Sequence, residues 1–194
     1  MGCGVRLGFY KERILLVIVC AVLFSATHLG NAWLFKYLSV SEHISWIYLP
    51  AFLRVMYVLV LGPWWGFAAI FLGSIALAIS LSEHLNQALL NATCSALSPV
   101  LAVWLFRVLK ERGVILSRLR DLIELSLLYA LLNALLHHIN WAVQQPDQFL
   151  SALQLPIMVA GDLLGAALGA ALFTLIFRHF GFYGLLERLS KDNS

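Results

Sequence analysis

The sequence predicts an all-α integral membrane bundle, and three observations carry that prediction. The chain of 194 residues is 61% hydrophobic and only 12% charged, with a mean hydropathy of +0.87, more apolar surface than one small soluble core can cover. Its apolar residues gather in runs close to the ~20 residues that cross about 30 Å of hydrocarbon. Its cations fall between those runs and sort to one side, as the retention of Lys and Arg in cytoplasmic loops requires.

The first run, Ile14–Phe35, follows Arg6, Lys11 and Arg13. Basic residues ahead of an apolar stretch also fit a secretory signal, but the run continues through "NAWLF", and removing it would split the termini across the membrane against the charge distribution. Ile44–Leu61 is the second span and ends at Gly62 and Pro63, which break the chain. The third, Gly66–Leu81, is short, and the indoles of "GPWWG" just before it suit the headgroup zone. Ala88–Leu109 leads into a basic loop with Arg107, Lys110, Arg112, Arg118 and Arg120 around it. Leu122–Val143 and Leu153–Phe177 complete the set, the last followed by Arg178, Arg188 and Lys191. Six spans place both termini and these cations on one side, leaving only Lys36 opposite and Arg54 inside the second span. Residues 1–194 are therefore expected to form a single multi-pass membrane domain with both termini cytoplasmic.

Arg54 and Asp162 stand in apolar surroundings. At about 1.5 Å of rise per residue they lie about 15 Å and about 13 Å from the outer ends of their spans, so both reach the membrane middle and are expected within a few ångströms of each other, directly paired or sharing a water or ligand. An intramembrane arginine stays charged and needs an anion, water or a route to the headgroups. Gly161, Gly165 and Gly169 form a small-residue row beside Asp162 that lets another helix approach closely. A structural ion pair, a ligand-binding or switching role, and proton transfer all remain open for Asp162.

Other spans carry polar stripes at helical spacing, able to face the bundle interior. Asn91, Ser95 and Ser98 lie on the fourth span, Asn133, His137 and Asn140 on the fifth with His138 beside them, and His28 and Asn31 on the first. His28, His43, His84, His137 and His138 all fall in the outer half or its loops. Interhelical hydrogen bonds worth about 0.6–2 kcal/mol each would explain any one of these residues. Together they predict that Asn91, Ser95, Asn133 and His137 line one outward-facing cavity, with Arg54 and Asp162 in the same polar network. A metal site is disfavoured, because adjacent His137 and His138 point about 100° apart on a helix and no His-x-x-x-His pair exists. Cys3, Cys20 and Cys94 have neither disulfide nor metal spacing.

Three stretches resemble the type-one membrane-associated sensor (MASE) family. "IYLPAFLRVMYVLVLGPWWGFAAIFLG", Ile47 to Gly73, is similar to its early helix pair; "NATCSALSPVLAVWLFR" to its next helix; and "AGDLLGAALGAALF" to its late Gly-Asp-x-x-Gly helix. The likeness runs through residues 44–177 and places Arg54 and Asp162 at motif positions. It implies a bacterial sensory domain of the kind joined to a histidine kinase or a cyclic-di-GMP enzyme. With fewer spans than the family usually has and no output domain within the chain, the signal would pass to a separate protein.

The expected function is thus a non-enzymatic sensory or partner-binding module of the inner membrane with an outward-facing polar pocket. The alternative is the substrate-binding membrane subunit of a vitamin or metal uptake transporter. No Ser/His, Cys/His or metal motif has the spacing of an active site. No cofactor and no nucleic-acid partner is expected; the partners are the lipid bilayer and a separate signalling protein. The basic loop and the tail "GLLERLSKDNS" either touch anionic lipid or such a protein, or only fix topology.

Overall fold

The computed structural model describes residues 3–41, 44–81, 84–144 and 153–179. His43 and the tail from 180 to 194, with the cations Arg188 and Lys191, lie outside the described residues. The described chain is an all-α bundle: α1 (Cys3–Leu34), α2 (Pro50–Leu61), α3 (Pro63–Ser80), α4 (Leu85–Lys110), α5 (Leu119–Gln144) and α6 (Gln154–His179). All but α2 are long and apolar enough to cross a membrane. The first helix starts well before the expected Ile14, and α3 takes in both indoles of "GPWWG" within its first turn.

The second expected span, Ile44–Leu61, needs correction. Its helix begins only at Pro50 and has 12 residues, about 18 Å of rise against the ~30 Å of hydrocarbon. Proline at the first helical position is the reason: without an N–H it cannot bond the carbonyl four residues back, and its ring would collide with that carbonyl. Residues 44–49 therefore run as irregular chain. Such backbone survives away from water only when its polar groups are satisfied by protein, and here they are. Tyr48 N–H donates to the Gly161 carbonyl at 3.1 Å, and Leu49 N–H donates to Asn31 Oδ1 at 2.8 Å. Asn31 Nδ2 in turn donates to the Ile47 carbonyl at 3.2 Å.

The glycine row of α6 makes this possible. A Cβ at Gly161 would strike the Ser45 carbonyl oxygen, one at Gly165 the Tyr48 carbonyl oxygen, and one at Gly169 the Phe52 side chain. The close approach the sequence predicts is therefore made to the irregular segment and the first turn of α2, not to a neighbouring straight span.

Around α2 the long helices pack in the order α1, α3, α4, α5, α6, and α2 touches every one of them. Its residues from Pro50 to Val58 are buried almost all round, as the shortest and most central element must be. Gly62, at φ 86°, turns the chain directly into α3. Where α4 passes into α5, Lys110 of α4 pairs with Glu124 of α5 at 2.8 Å, Arg112 of the loop grips the Asp121 carboxylate with both terminal nitrogens, and Arg120 pairs with Glu124 within α5 at 2.9 Å.

Gly165→Ala is expected to destabilise the protein by about 1–3 kcal/mol, since the new methyl group meets backbone that cannot swing aside. Gly30→Ala, with nothing within 4 Å of the added carbon, is the matched control and should be neutral or slightly stabilising. Thermal unfolding of both variants in mild detergent measures the difference.

Candidate functional site

Helix α5 buries a row at every fourth residue, Asp121, Leu125, Tyr129, Asn133, His137 and Trp141, with Ala130 and Ala134 beside it. Side chains four apart stack on one face of a helix, so this helix sends a column of polar groups through the bundle. Arg54, from the centre of α2, meets that column in the middle. Its Nη1 donates to Tyr129 Oη and Asn133 Oδ1, both at 3.2 Å. Its Nη2 donates to Tyr48 Oη and Ser95 Oγ, both at 2.9 Å. The guanidinium carbon also sits 4.9 Å from the Tyr48 ring centre and 5.5 Å from that of Phe24, close enough for cation–π attraction. One side chain thus ties α2 to α1, α4, α5 and the irregular segment.

Asp162 enters the network through Asn133, whose Nδ2 donates to Asp162 Oδ2 at 2.7 Å. An amide is suited to this place because it accepts from a cation on one side and donates to a carboxylate on the other. The directly paired form of the expected Arg54–Asp162 contact is accordingly corrected. The ion pairs of the described residues are Lys110–Glu124, Arg112–Asp121 and Arg120–Glu124, and the two intramembrane charges are joined through the Asn133 amide, with the Tyr129 hydroxyl also bonded to both. The physical cause is the seating of α6: its glycines dock on the chain preceding α2, so Asp162 faces α5 and the amide of Asn133 fills the space between the charges.

The other expected polar residues divide. Ser95 Oγ lies 3.2 Å from His137 Nε2, and His28 Nδ1 lies 3.0 Å from Tyr48 Oη, so two imidazoles reach the guanidinium through one hydroxyl each. Asn91 Oδ1 accepts from Asn140 Nδ2 at 3.0 Å and Trp141 Nε1 at 2.9 Å, closing the start of α4 on the end of α5. Ser98 turns back onto its own helix and donates to the Cys94 carbonyl at 2.5 Å. Asn31 clamps the irregular segment, as described. Among the described residues no three His, Cys, Asp or Glu side chains gather in a metal-binding group.

A cavity of about 440 Å³ stands over this network. Asn91, Ser95, Asn133, His137, Arg54 and Asp162 all line it, with His28, Ser45, Tyr48 and Trp141 completing the polar side. Leu77, Ala78, Leu81, Ala88 and Ala92 from α3 and α4 form an apolar wall. Its position follows from the fold. Because α2 starts at Pro50, it fills the bundle centre on one side of Arg54 only, and the long helices continue past it with small residues facing inward. The cavity reaches Leu81 and Ala88, toward the end opposite the Arg112–Asp121 hairpin.

Tyr48, Tyr129, Phe24 and Trp141 escaped the sequence reading. They carry the hydroxyls, rings and indole that complete the network, but in an apolar run a tyrosine counts as one more hydrophobic residue. The spacing of Tyr129 four residues before Asn133 was the available signal.

Fold and site together define a class: an all-α integral membrane bundle with a charged, hydrogen-bonded floor beneath an internal cavity. Comparison with protein-family models, with curated proteins and with solved structures finds no match for the chain.

Replacing Asn133 with Leu removes an acceptor from Arg54 and a donor from Asp162 at once, leaving two buried charges short of a partner. The expected loss is about 3–5 kcal/mol, against about 1–2 kcal/mol for Ser95→Ala, which removes one of four acceptors from the guanidinium. Unfolding in detergent should rank them in that order; a larger loss at Ser95 would contradict the bridging role of Asn133.

Proposed function

We propose that this protein is a membrane-embedded sensory module that binds a small molecule in the cavity over Arg54 and reports to a separate protein. The observation that carries the proposal is the coincidence of cavity and network: of the groups that hold the guanidinium, Tyr48, Ser95, Asn133 and Phe24 also line the space. A molecule touching Ser95, Asn133 and Tyr48 acts on α4, α5 and the chain before α2 together. It shifts the bundle between two arrangements in proportion to the difference in its affinity for them. Binding sites in general are concave, apolar in part, and furnished with a few convergent polar groups, and this cavity has that composition.

The likeness of Ile47–Gly73, Asn91–Arg107 and Ala160–Phe173 to the type-one membrane-associated sensors supports the sensory reading. Lys and Arg gathered at the α4–α5 hairpin support a cytoplasmic placement of that end, with both termini on the same side and the cavity toward the outside of a bacterial inner membrane. The hairpin would then be the face offered to a signalling partner. No step of this proposal is chemical, and the module acts by binding.

Purification in mild detergent followed by native mass spectrometry tests the proposal. The wild-type protein should carry a bound small molecule, and Ala92→Phe, which fills the cavity from its apolar wall, should lose it while keeping its helical content. A kinase or cyclase retained on the same column supports the sensory role; an ATPase and a transmembrane coupling protein in its place would assign the cavity to uptake. A bound molecule retained equally by Ala92→Phe would place binding elsewhere.

A further inference from the structure

The lining of the cavity also constrains what enters it, an inference that rests on the cavity being the ligand site. With the imidazoles of His28 and His137 neutral, it carries one formal positive charge, Arg54, and one formal negative charge, Asp162. Both are buried, at 5% and 2% exposure, and they are joined through the Asn133 amide and the Tyr129 hydroxyl. The site is therefore balanced before any ligand arrives. An ion entering it would bring a net charge to membrane depth, where the formal charges of the lining residues already balance each other.

The hydrogen bonds narrow the choice further. Arg54 already spends its four terminal N–H groups on protein acceptors held by α4, α5 and the chain before α2. It is a cation solvated by the fold, and its terminal nitrogens are committed. Asp162 is differently placed: its Oδ2 accepts from Asn133, and a carboxylate has room for about four hydrogen bonds. Asn91 likewise lines the cavity with its amide, the oxygen of which is held by Asn140 and Trp141, so the nitrogen is the end turned to other use. The floor offers acceptor capacity at Asp162 and donor capacity at Asn91 and at the Arg54 Nε–H, which is buried without a hydrogen-bond partner, facing an aliphatic wall of Leu77, Ala78, Ala88 and Ala92.

We infer that the cavity selects a net-uncharged amphipathic molecule, one that presents N–H or O–H donors together with an acceptor at one end and an aliphatic or ring body at the other. Organic acids and amines of the same size are excluded by charge.

Three probes with one six-carbon skeleton decide this: hexanamide, hexanoate and hexylammonium, titrated against the full chain in detergent with saturable tryptophan-fluorescence change as the readout. Hexanamide should bind the wild-type protein at least about tenfold more tightly than either ion, a ratio corresponding to about 1.4 kcal/mol. Asp162→Asn leaves a formal positive charge and should turn the preference toward hexanoate; Arg54→Met leaves a negative one and should turn it toward hexylammonium. The wild-type ranking stands on its own where either variant fails to fold. Tighter binding of hexanoate or hexylammonium to the wild-type protein, or equal binding of all three, overturns the charge-balance inference while leaving the cavity as a binding site. Absence of saturable binding by every probe overturns the cavity reading itself.

Discussion

A permanent positive charge in the middle of a membrane protein has to be solvated by the fold, and much of this structure is the apparatus that does so. Arg54 cannot shed its proton, and leaving it bare in hydrocarbon would cost at least several kcal/mol. The bundle answers with two tyrosine hydroxyls, a serine, an amide and two aromatic faces, drawn from α1, α4, α5 and the chain before α2. The negative charge that balances it is held one amide away at Asp162. Each of these partners must be in place for the others to be satisfied, so the network selects one arrangement of the helices, a specificity that apolar packing between lipid-like surfaces supplies only weakly.

The same requirement accounts for the shape of α2. A full-length helix in the centre would bury Arg54 among straight apolar neighbours and leave no space above it. Starting at Pro50, the helix brings Tyr48 back over the guanidinium from the irregular segment, and that segment in turn needs the glycines of α6 and the amide of Asn31 to close on it. The cavity is the complement of this economy: what α2 does not fill, the longer helices enclose. Polar floor and internal space thus arise from one feature of the sequence, a proline ahead of an arginine.

The class of fold and the polar half of the bundle were legible because they rest on composition and period. Apolar runs declare themselves, and Asn91, Ser95, Asn133 and His137 were readable as one site because residues three and four apart share a helix face. Arg54 and Asp162 stood out as ions in apolar surroundings. What the pattern did not contain was the partner choice. Ile44–Leu49 is as apolar as a helix, and only the tertiary fit of Ser45 and Tyr48 to Gly161 and Gly165 shows why it is not one. The glycine row promised close approach without saying to what. Placing Asn133 between the two charges depends on the rotation of α6 about its own axis, which no single-helix period reports, and the hydroxyls of Tyr48 and Tyr129 were hidden by their rings.

The central claim is that Arg54 and Asp162 act as one charge-balanced unit through Asn133, and a double-mutant cycle tests it most directly. Arg54→Met and Asp162→Leu should each cost about 3–5 kcal/mol, because each strands the opposite charge in the bundle. The double variant, which removes both, should recover a large part of the summed loss, giving a coupling of at least about 1 kcal/mol in detergent unfolding. Strictly additive losses would show that the two charges are solvated independently, and would contradict the account.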